Sequence, residues 1–169
     1  YQQNGNLNKS NVENTTTPWH RDLTFWHVEF SHPIALSALH AISPFTHDNG
    51  AVMILPGSHK SEEFPSSSYI ESHQSTLLVE AGSVVLFDSM MFHRSGYNTS
   101  KHTRYSINHM YTLPLLTQQI SLPRMLNGRF SEDPFLRWFL GYNSMQQPDI
   151  YSWRNEKVIN ARKVLTPQA

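Results

Sequence analysis

The feature that most constrains this chain is a series of short apolar runs broken at close intervals by turn residues. The runs are Ile34 to Ile42, Ala51 to Leu55, Thr76 to Val79 and Val84 to Phe87, followed by a longer segment from Met91 to Tyr111. Asp48-Asn49-Gly50, Pro56-Gly57-Ser58, Ala81-Gly82-Ser83 and Ser95-Gly96-Tyr97-Asn98 separate them. Runs of this length, punctuated by Gly and Pro, read as strands. The pattern predicts a mainly β sandwich or barrel rather than a βα repeat. Its densest part is AGSVVLFDSMMFHRSGYNTSKHTRYSINHMY, Ala81 to Tyr111. That stretch reads as two apolar strands flanking a polar hairpin. His93 opens the return, and Arg104 stands at the head of the last strand.

The flanks differ in texture. Residues 1–17 are polar and Asn-rich and read as an arm or mobile loop. The β core is expected over 18–111, with a short strand at Trp19 to Asp22 and a polar loop from Glu62 to Ser75. Residues 112–169 are expected to form a helical extension packed outside that core. Ser131-Glu132-Asp133-Pro134 looks like a helix start with Ser131 as cap, and Gly141 is a plausible stop. A second helix is expected at about Trp153 to Val164.

Composition excludes several functions. With 13 basic and 13 acidic residues the formal charge is zero, which gives no electrostatic case for a nucleic-acid partner. No run approaches the roughly eighteen apolar residues of a membrane span, and no signal peptide is visible; a cytoplasmic protein with no membrane partner is expected. The chain has no cysteine, so disulfides, thiolate metal sites and cysteine nucleophiles are excluded. Nothing in the residues sets an oligomeric state.

The sharpest short motif is His20-Arg21-Asp22. On extended chain, residues i and i+2 share a face, about 6.6 Å apart. His20 and Asp22 are therefore able to converge on one ion, while Trp19 and Arg21 point the other way. A second imidazole would complete a facial triad, the donor set that leaves three positions open on Fe(II). His93 is the best-placed third ligand, at the start of a strand with a polar hairpin behind it. His47, His59, His73 and His102 sit in turns or polar loops, and His27, His32 and His40 stay open as alternatives. Strand parity turns Arg104, Ser106 and Asn108 to one face and Tyr105, Ile107 and His109 to the other. Ser95 shares the face of His93. An inward arginine flanked by serines is an anion pocket suited to a dicarboxylate.

These residues carry a family resemblance. WHRD at Trp19 to Asp22, NGAVMILPGSHK at Asn49 to Lys60 and AGSVVLFDSMMFHRSGYNTSKHTR at Ala81 to Arg104 resemble, in their order and in the His-to-Arg interval, the phytanoyl-CoA dioxygenase family of Fe(II)- and 2-oxoglutarate-dependent oxygenases. The segment QQISLPRMLNGRFSEDPFLRWFLGY resembles C-terminal segments of bacterial members. The resemblance implies a double-stranded β-helix, the jelly-roll or cupin-like fold of two antiparallel sheets. It implies His20, Asp22 and His93 as the iron and catalytic ligands, and Arg104 with Ser95 as the grip on 2-oxoglutarate. Ser106 and Asn108 join the co-substrate site from parity alone. The implied reaction consumes dioxygen and 2-oxoglutarate, releases succinate and carbon dioxide, and hydroxylates a C–H bond of a small-molecule substrate. Family halogenases have a small residue at the carboxylate position, so Asp22 points to hydroxylation. Members place a longer segment before the His-x-Asp than the nineteen residues here, and the chain is expected to lack the family's N-terminal part.

Two other readings are set against this one. A non-catalytic cupin-like binding or sensor domain would have no need of His20, Asp22, His93 and Arg104 together. A metal-dependent cupin-type enzyme that does not use 2-oxoglutarate would have no need of Arg104. Phe25, Trp26, Phe45, Met90 and Phe92 are candidates for an apolar pocket wall or for core. The sequence does not name the substrate.

Overall fold

The computed structural model describes residues 2–10, 18–23, 25 and 30–165, without the side chains of 2–4 and 160–165. Seven strands are described: β1 (Gln2–Asn8), β2 (Ala35–Ala41), β3 (Val52–Ile54), β4 (Ser75–Thr76), β5 (Val84–Asp88), β6 (His93–Ser95) and β7 (Arg104–Thr112). They form two antiparallel sheets, one in the order β1-β7-β2-β5 and the other β4-β3-β6. The chain divides into two compact units, Tyr1–Gln119 and Ile120–Ala169. All seven strands belong to the first.

Alternation builds the core. On β2 the residues Ala35, Ser37, Leu39 and Ala41 are buried, and on β7 the buried set is Arg104, Ser106, Asn108 and Met110. Leu39, Ala41 and Phe87 of the larger sheet pack in one apolar cluster with Val52 of the smaller, joined by Phe45, Ala51 and Met91. The inner faces of the two sheets therefore share a core. Phe45, Met90 and Phe92 each fall in a buried apolar cluster, so they are core rather than pocket wall. Trp26 and His27 lie outside the described residues.

The expected polar arm is a correction. Residues 2–8 of it form β1, paired in register with β7 from Gln2↔Met110 to Asn8↔Arg104. Its polar composition hid it, because its anchor is an amide rather than an apolar side chain. Asn8 is 2% exposed and donates through Nδ2 to the carbonyls of Gly50 and Gly96. Asn98, fully buried, donates to the carbonyls of Asn8 and His102. Gly50 has φ +72°, and a Cβ there would lie 2.4 Å from Asn8 Nδ2, so this corner requires glycine. Residues 11–17 of the expected arm lie outside the described residues.

The expected hairpin is also corrected. β6 and β7 do not pair: β6 lies beside β3, and β7 lies between β1 and β2. The polar connection passes from one sheet to the other. Trp19 to Asp22 is not a strand: the chain bends at Trp19 and at Asp22, and His20 alone bridges to His93, with both backbone bonds at 3.0 Å. The polar loop after Glu62 contains a helix, α1 (Ser67–His73), capped by Ser66 and anchored by one buried residue, Ile70.

The second unit holds α2 (Leu122–Leu126), which the sequence reading missed, α3 (Pro134–Phe139) and α4 (Ile150–Leu165). Asp133, not Ser131, caps α3: its carboxylate accepts from Leu136 N at 2.8 Å, with Pro134 in the first turn. Gly141 follows the end of α3 at φ +87°, consistent with its reading as a stop. Among the described residues, no helix is long and apolar enough to cross a membrane.

Candidate metal and anion site

One pocket opens between the inner faces of the two sheets. It is lined by His20, Asp22, His93, Ser95, Arg104, Ser106 and Asn108, together with Asn6, Arg94 and the apolar Leu39, Val52 and Phe87. Every residue singled out from the sequence for the site is thus in one place. Asn6 and Arg94 are the polar additions: the polar composition of β1 hides the first, and the second, whose guanidinium lies 5.2 Å over the Trp19 ring, has no motif to mark it.

At one end stand His20, Asp22 and His93. One ligand atom from each lies within 4.8 Å of the others, and the two imidazole rings are 4.4 Å apart, centre to centre. The His20–His93 bridge sets this approach, since it locks two distant segments side by side at the residues that matter. Each ring has Nδ1 against a backbone carbonyl, His20 at 2.8 Å from Pro18 O and His93 at 3.0 Å from Met91 O. A carbonyl only accepts, so Nδ1 carries the hydrogen and the Nε2 lone pair is left for a metal. Burial, and then the neighbouring His93, push His20 below its ordinary range, which favours the neutral ligand form.

Burial favours the protonated acid at Asp22, but other contacts outweigh it. In the metal-free chain the hydrogen bond and charge that His93 offers in its protonated form, then hydrogen bonds from Ser37 and Asn108, hold the carboxyl down at about 2. Asp22 Oδ1 faces His93 Nε2 at 3.5 Å. Oδ2 accepts from Ser37 Oγ and from Asn108 Nδ2, the latter at 2.9 Å. Asn108 shares the inward face of Arg104, as parity required, and its amide stands against the Asp22 carboxylate.

Arg21 serves the motif from behind. It is 6% exposed, lies 4.2 Å over the Phe92 ring and donates to the carbonyls of Ser58 and Ser61. The turn at Pro56-Gly57-Ser58 is thereby tied to the back of His20 and Asp22.

Arg104 occupies the other end. It is 1% exposed, with its guanidinium 4.6 Å over the Phe45 ring. Nη1 donates to Ser106 Oγ at 3.3 Å and Nη2 to Ser95 Oγ at 3.4 Å, while the buried Nε has no partner. No carboxylate among the described residues pairs with it. Burial pushes Arg104 down to about 10, which still leaves it charged at neutral pH. A buried cation without a counter-ion is costly, and an entering anion relieves that cost. His109 lies on the opposite face of β7, its ring 5.0 Å from that of His40, as strand parity required.

The profile of phytanoyl-CoA dioxygenase (PhyH) matches residues 1–106. The chain belongs to the phytanoyl-CoA dioxygenase family. Among curated relatives of this family member, the uncharacterized protein Rv1501 of Mycobacterium tuberculosis is 39% identical over 92 residues, 54% of this chain and 34% of the relative. An ectoine dioxygenase of Bordetella bronchiseptica is 31% identical, covering 55% of this chain and 39% of the relative. EctD from S. alaskensis, solved with 2-oxoglutarate and 5-hydroxyectoine, aligns at TM-score 0.56 and 25% identity over 67% of this chain and 43% of its own. AviO1 from Streptomyces viridochromogenes aligns at TM-score 0.57 and 23% identity over 69% of this chain and 51% of its own. The chain spans between about a third and two-fifths of the length of these curated relatives.

The donor set fits the cofactors of an iron oxygenase. Two neutral imidazoles and one ionised carboxylate suit a divalent first-row metal with open positions. A buried, unpaired guanidinium in the same pocket suits the far carboxylate of a dicarboxylic co-substrate.

Proposed function

We propose that this chain carries the active site of an Fe(II)- and 2-oxoglutarate-dependent dioxygenase that hydroxylates a C–H bond of a small molecule. The observation that carries the reading is a buried arginine that pairs with no carboxylate among the described residues, in the same pocket as a His-Asp-His group. A metal site alone would not require that arginine, and an anion site alone would not require the imidazoles. The family membership and the ectoine dioxygenase relatives support the same class. So do solved EctD structures with bound Fe and with 2-oxoglutarate.

In this reading His20 and His93 bind the metal through Nε2 and Asp22 through its carboxylate. Arg104 holds the distal carboxylate of 2-oxoglutarate, steadied by Ser95 and Ser106. The bound iron and co-substrate supply the oxidising chemistry, with succinate and carbon dioxide as products. The chain orients the reactants and keeps the pocket dry: Leu39, Val52 and Phe87 form its apolar wall. The two sheets, sharing one core between their inner faces, are read as a double-stranded β-helix with the site at one end.

Succinate release tests the proposal. Incubation of the chain with Fe(II), 2-oxoglutarate and a panel of small apolar and zwitterionic substrates is expected to yield succinate, and omission of either cofactor to abolish it. Binding of neither Co(II) nor 2-oxoglutarate by the wild-type chain would overturn the reading.

A further inference from the structure

We propose that Ser37, Ser89 and Asn108 are positioning residues that keep the Asp22 carboxylate a one-oxygen ligand. The inference rests on the metal-site reading above and concerns how the carboxylate is held. Asp22 Oδ2 accepts two hydrogen bonds, from Ser37 Oγ and from Asn108 Nδ2 at 2.9 Å. Oδ1 is the oxygen turned to His93 Nε2. Ser37 Oγ also lies 2.8 Å from Ser89 Oγ. Because Ser37 gives its single hydrogen to Asp22, Ser89 is the donor in that second bond. The relay runs from Ser89 to Ser37 to Asp22, and both serines are fully buried. Ser89 grips the main chain as well, since its carbonyl accepts from Asp22 N at 3.0 Å.

Coordination number explains why this matters. A carboxylate binds a metal through one oxygen or chelates it with both, and chelation uses one more position. Three protein donors leave three positions on an octahedral ion, and a chelating keto acid takes two of them. If Asp22 also chelated, no position would remain beside the co-substrate. Engaging Oδ2 with two donors makes its release to the metal unfavourable. The donors come from β2, from the end of β5 and from β7, so the arrangement appears only when the sheet assembles.

Co(II) serves as the probe, because its visible absorption reports coordination number and it needs no turnover. Ser37→Ala and Asn108→Leu are made in the full chain, singly and together, with Ser89→Ala as the milder variant that acts through Ser37. Once 2-oxoglutarate is bound to the Co(II)-loaded chain, loss of one charge-assisted bond is expected to weaken binding of azide, a probe of the position left beside the co-substrate, by about 10-fold, and the double variant to weaken it further. Co(II) affinity is expected to stay within about threefold of wild type or to tighten, since a second carboxylate oxygen becomes available. The melting point of the metal-free Ser37→Ala chain controls for folding. Parallel loss of Co(II) affinity, 2-oxoglutarate affinity and melting point would identify a purely structural role and overturn the inference. Unchanged azide affinity in both single variants, with wild type binding Co(II), 2-oxoglutarate and azide, overturns it alone. A wild-type chain that takes up no Co(II) overturns the metal-site reading and this inference with it.

Discussion

The two ends of the pocket are built on opposite principles. At the Asp22 end nearly every polar atom has a partner: both Nδ1 atoms face carbonyls, and Oδ2 has two donors. At the Arg104 end the charge is more deeply buried, yet among the described residues its side-chain bonds are to two serines at 3.3 and 3.4 Å, and Nε has none. The first end is preorganised, with fixed lone pairs aimed at one point. The second is left unsatisfied in the free chain, so a bound anion is favoured by what it relieves. The difference implies that the ends respond differently to mutation.

The largest effects belong to the preorganised end. His93→Ala and Asp22→Ala are each expected to abolish metal uptake and to lower succinate formation by on the order of 10³-fold or more, because no other described donor is placed to substitute. Metal titration together with a succinate assay checks this. Retained metal affinity in His93→Ala would remove it from the ligand set.

Arg104→Met separates the two ends. Metal affinity is expected to persist while the 2-oxoglutarate requirement rises by about 30-fold or more, the loss of a charge-assisted pair. Without ligand, the variant is expected to be as stable as wild type or more so by about 1 kcal/mol, since an unpaired buried charge is replaced by an apolar chain. A variant that unfolds while wild type does not would show that Arg104 is a structural cation rather than a waiting one.

Two further tests concern stability. Asn8→Ala removes the amide that ties β1 to Gly50 and Gly96, and it is expected to cost about 2 kcal/mol in chemical denaturation. The Asp22 carboxyl titrates lower in the folded chain, at about 2, than its ordinary 3.8. Its stabilisation is therefore complete above the unfolded value and is lost as pH falls through the folded one. In the metal-free chain that loss, about 2 kcal/mol between pH 4 and 2, should be absent from Asp22→Asn.

The smallest effect is expected on the reverse face of β7. His109→Ala should leave metal and 2-oxoglutarate affinities within about twofold of wild type, and stability within about 0.5 kcal/mol.

Much of the site was legible in the sequence because its clues are local. His20 and Asp22 are two residues apart, and the period of extended chain turns both to one face. The same period sorted Arg104, Ser106 and Asn108 from Tyr105 and His109. Elements whose stabilising partners are remote in the chain were not legible. β1 carries no apolar alternation; its register comes from β7 and from Asn8 bonded across 42 and 88 residues. The false hairpin arose from a similar cause. His93 and Arg104 are close in sequence, but their strands take partners from different sheets, and no local turn chemistry reports that. The Asp133 cap on α3 was misread by two positions because Ser131 and Asp133 are both good caps, and Pro134 decides between them by fixing the first turn.

The sequence by itself determined the main groups of the pocket: the imidazoles of His20 and His93, the Asp22 carboxylate and the Arg104 guanidinium, with strand parity to aim them. Tertiary structure decided how those atoms are held. It brought His20 against His93 through a backbone bridge, and it set the Asn108 amide against the Asp22 carboxylate. It also left Arg104 buried without a counter-ion among the described residues. Donor identity belongs to single residues, whereas orientation and desolvation come from strands that meet only when both sheets close around the core.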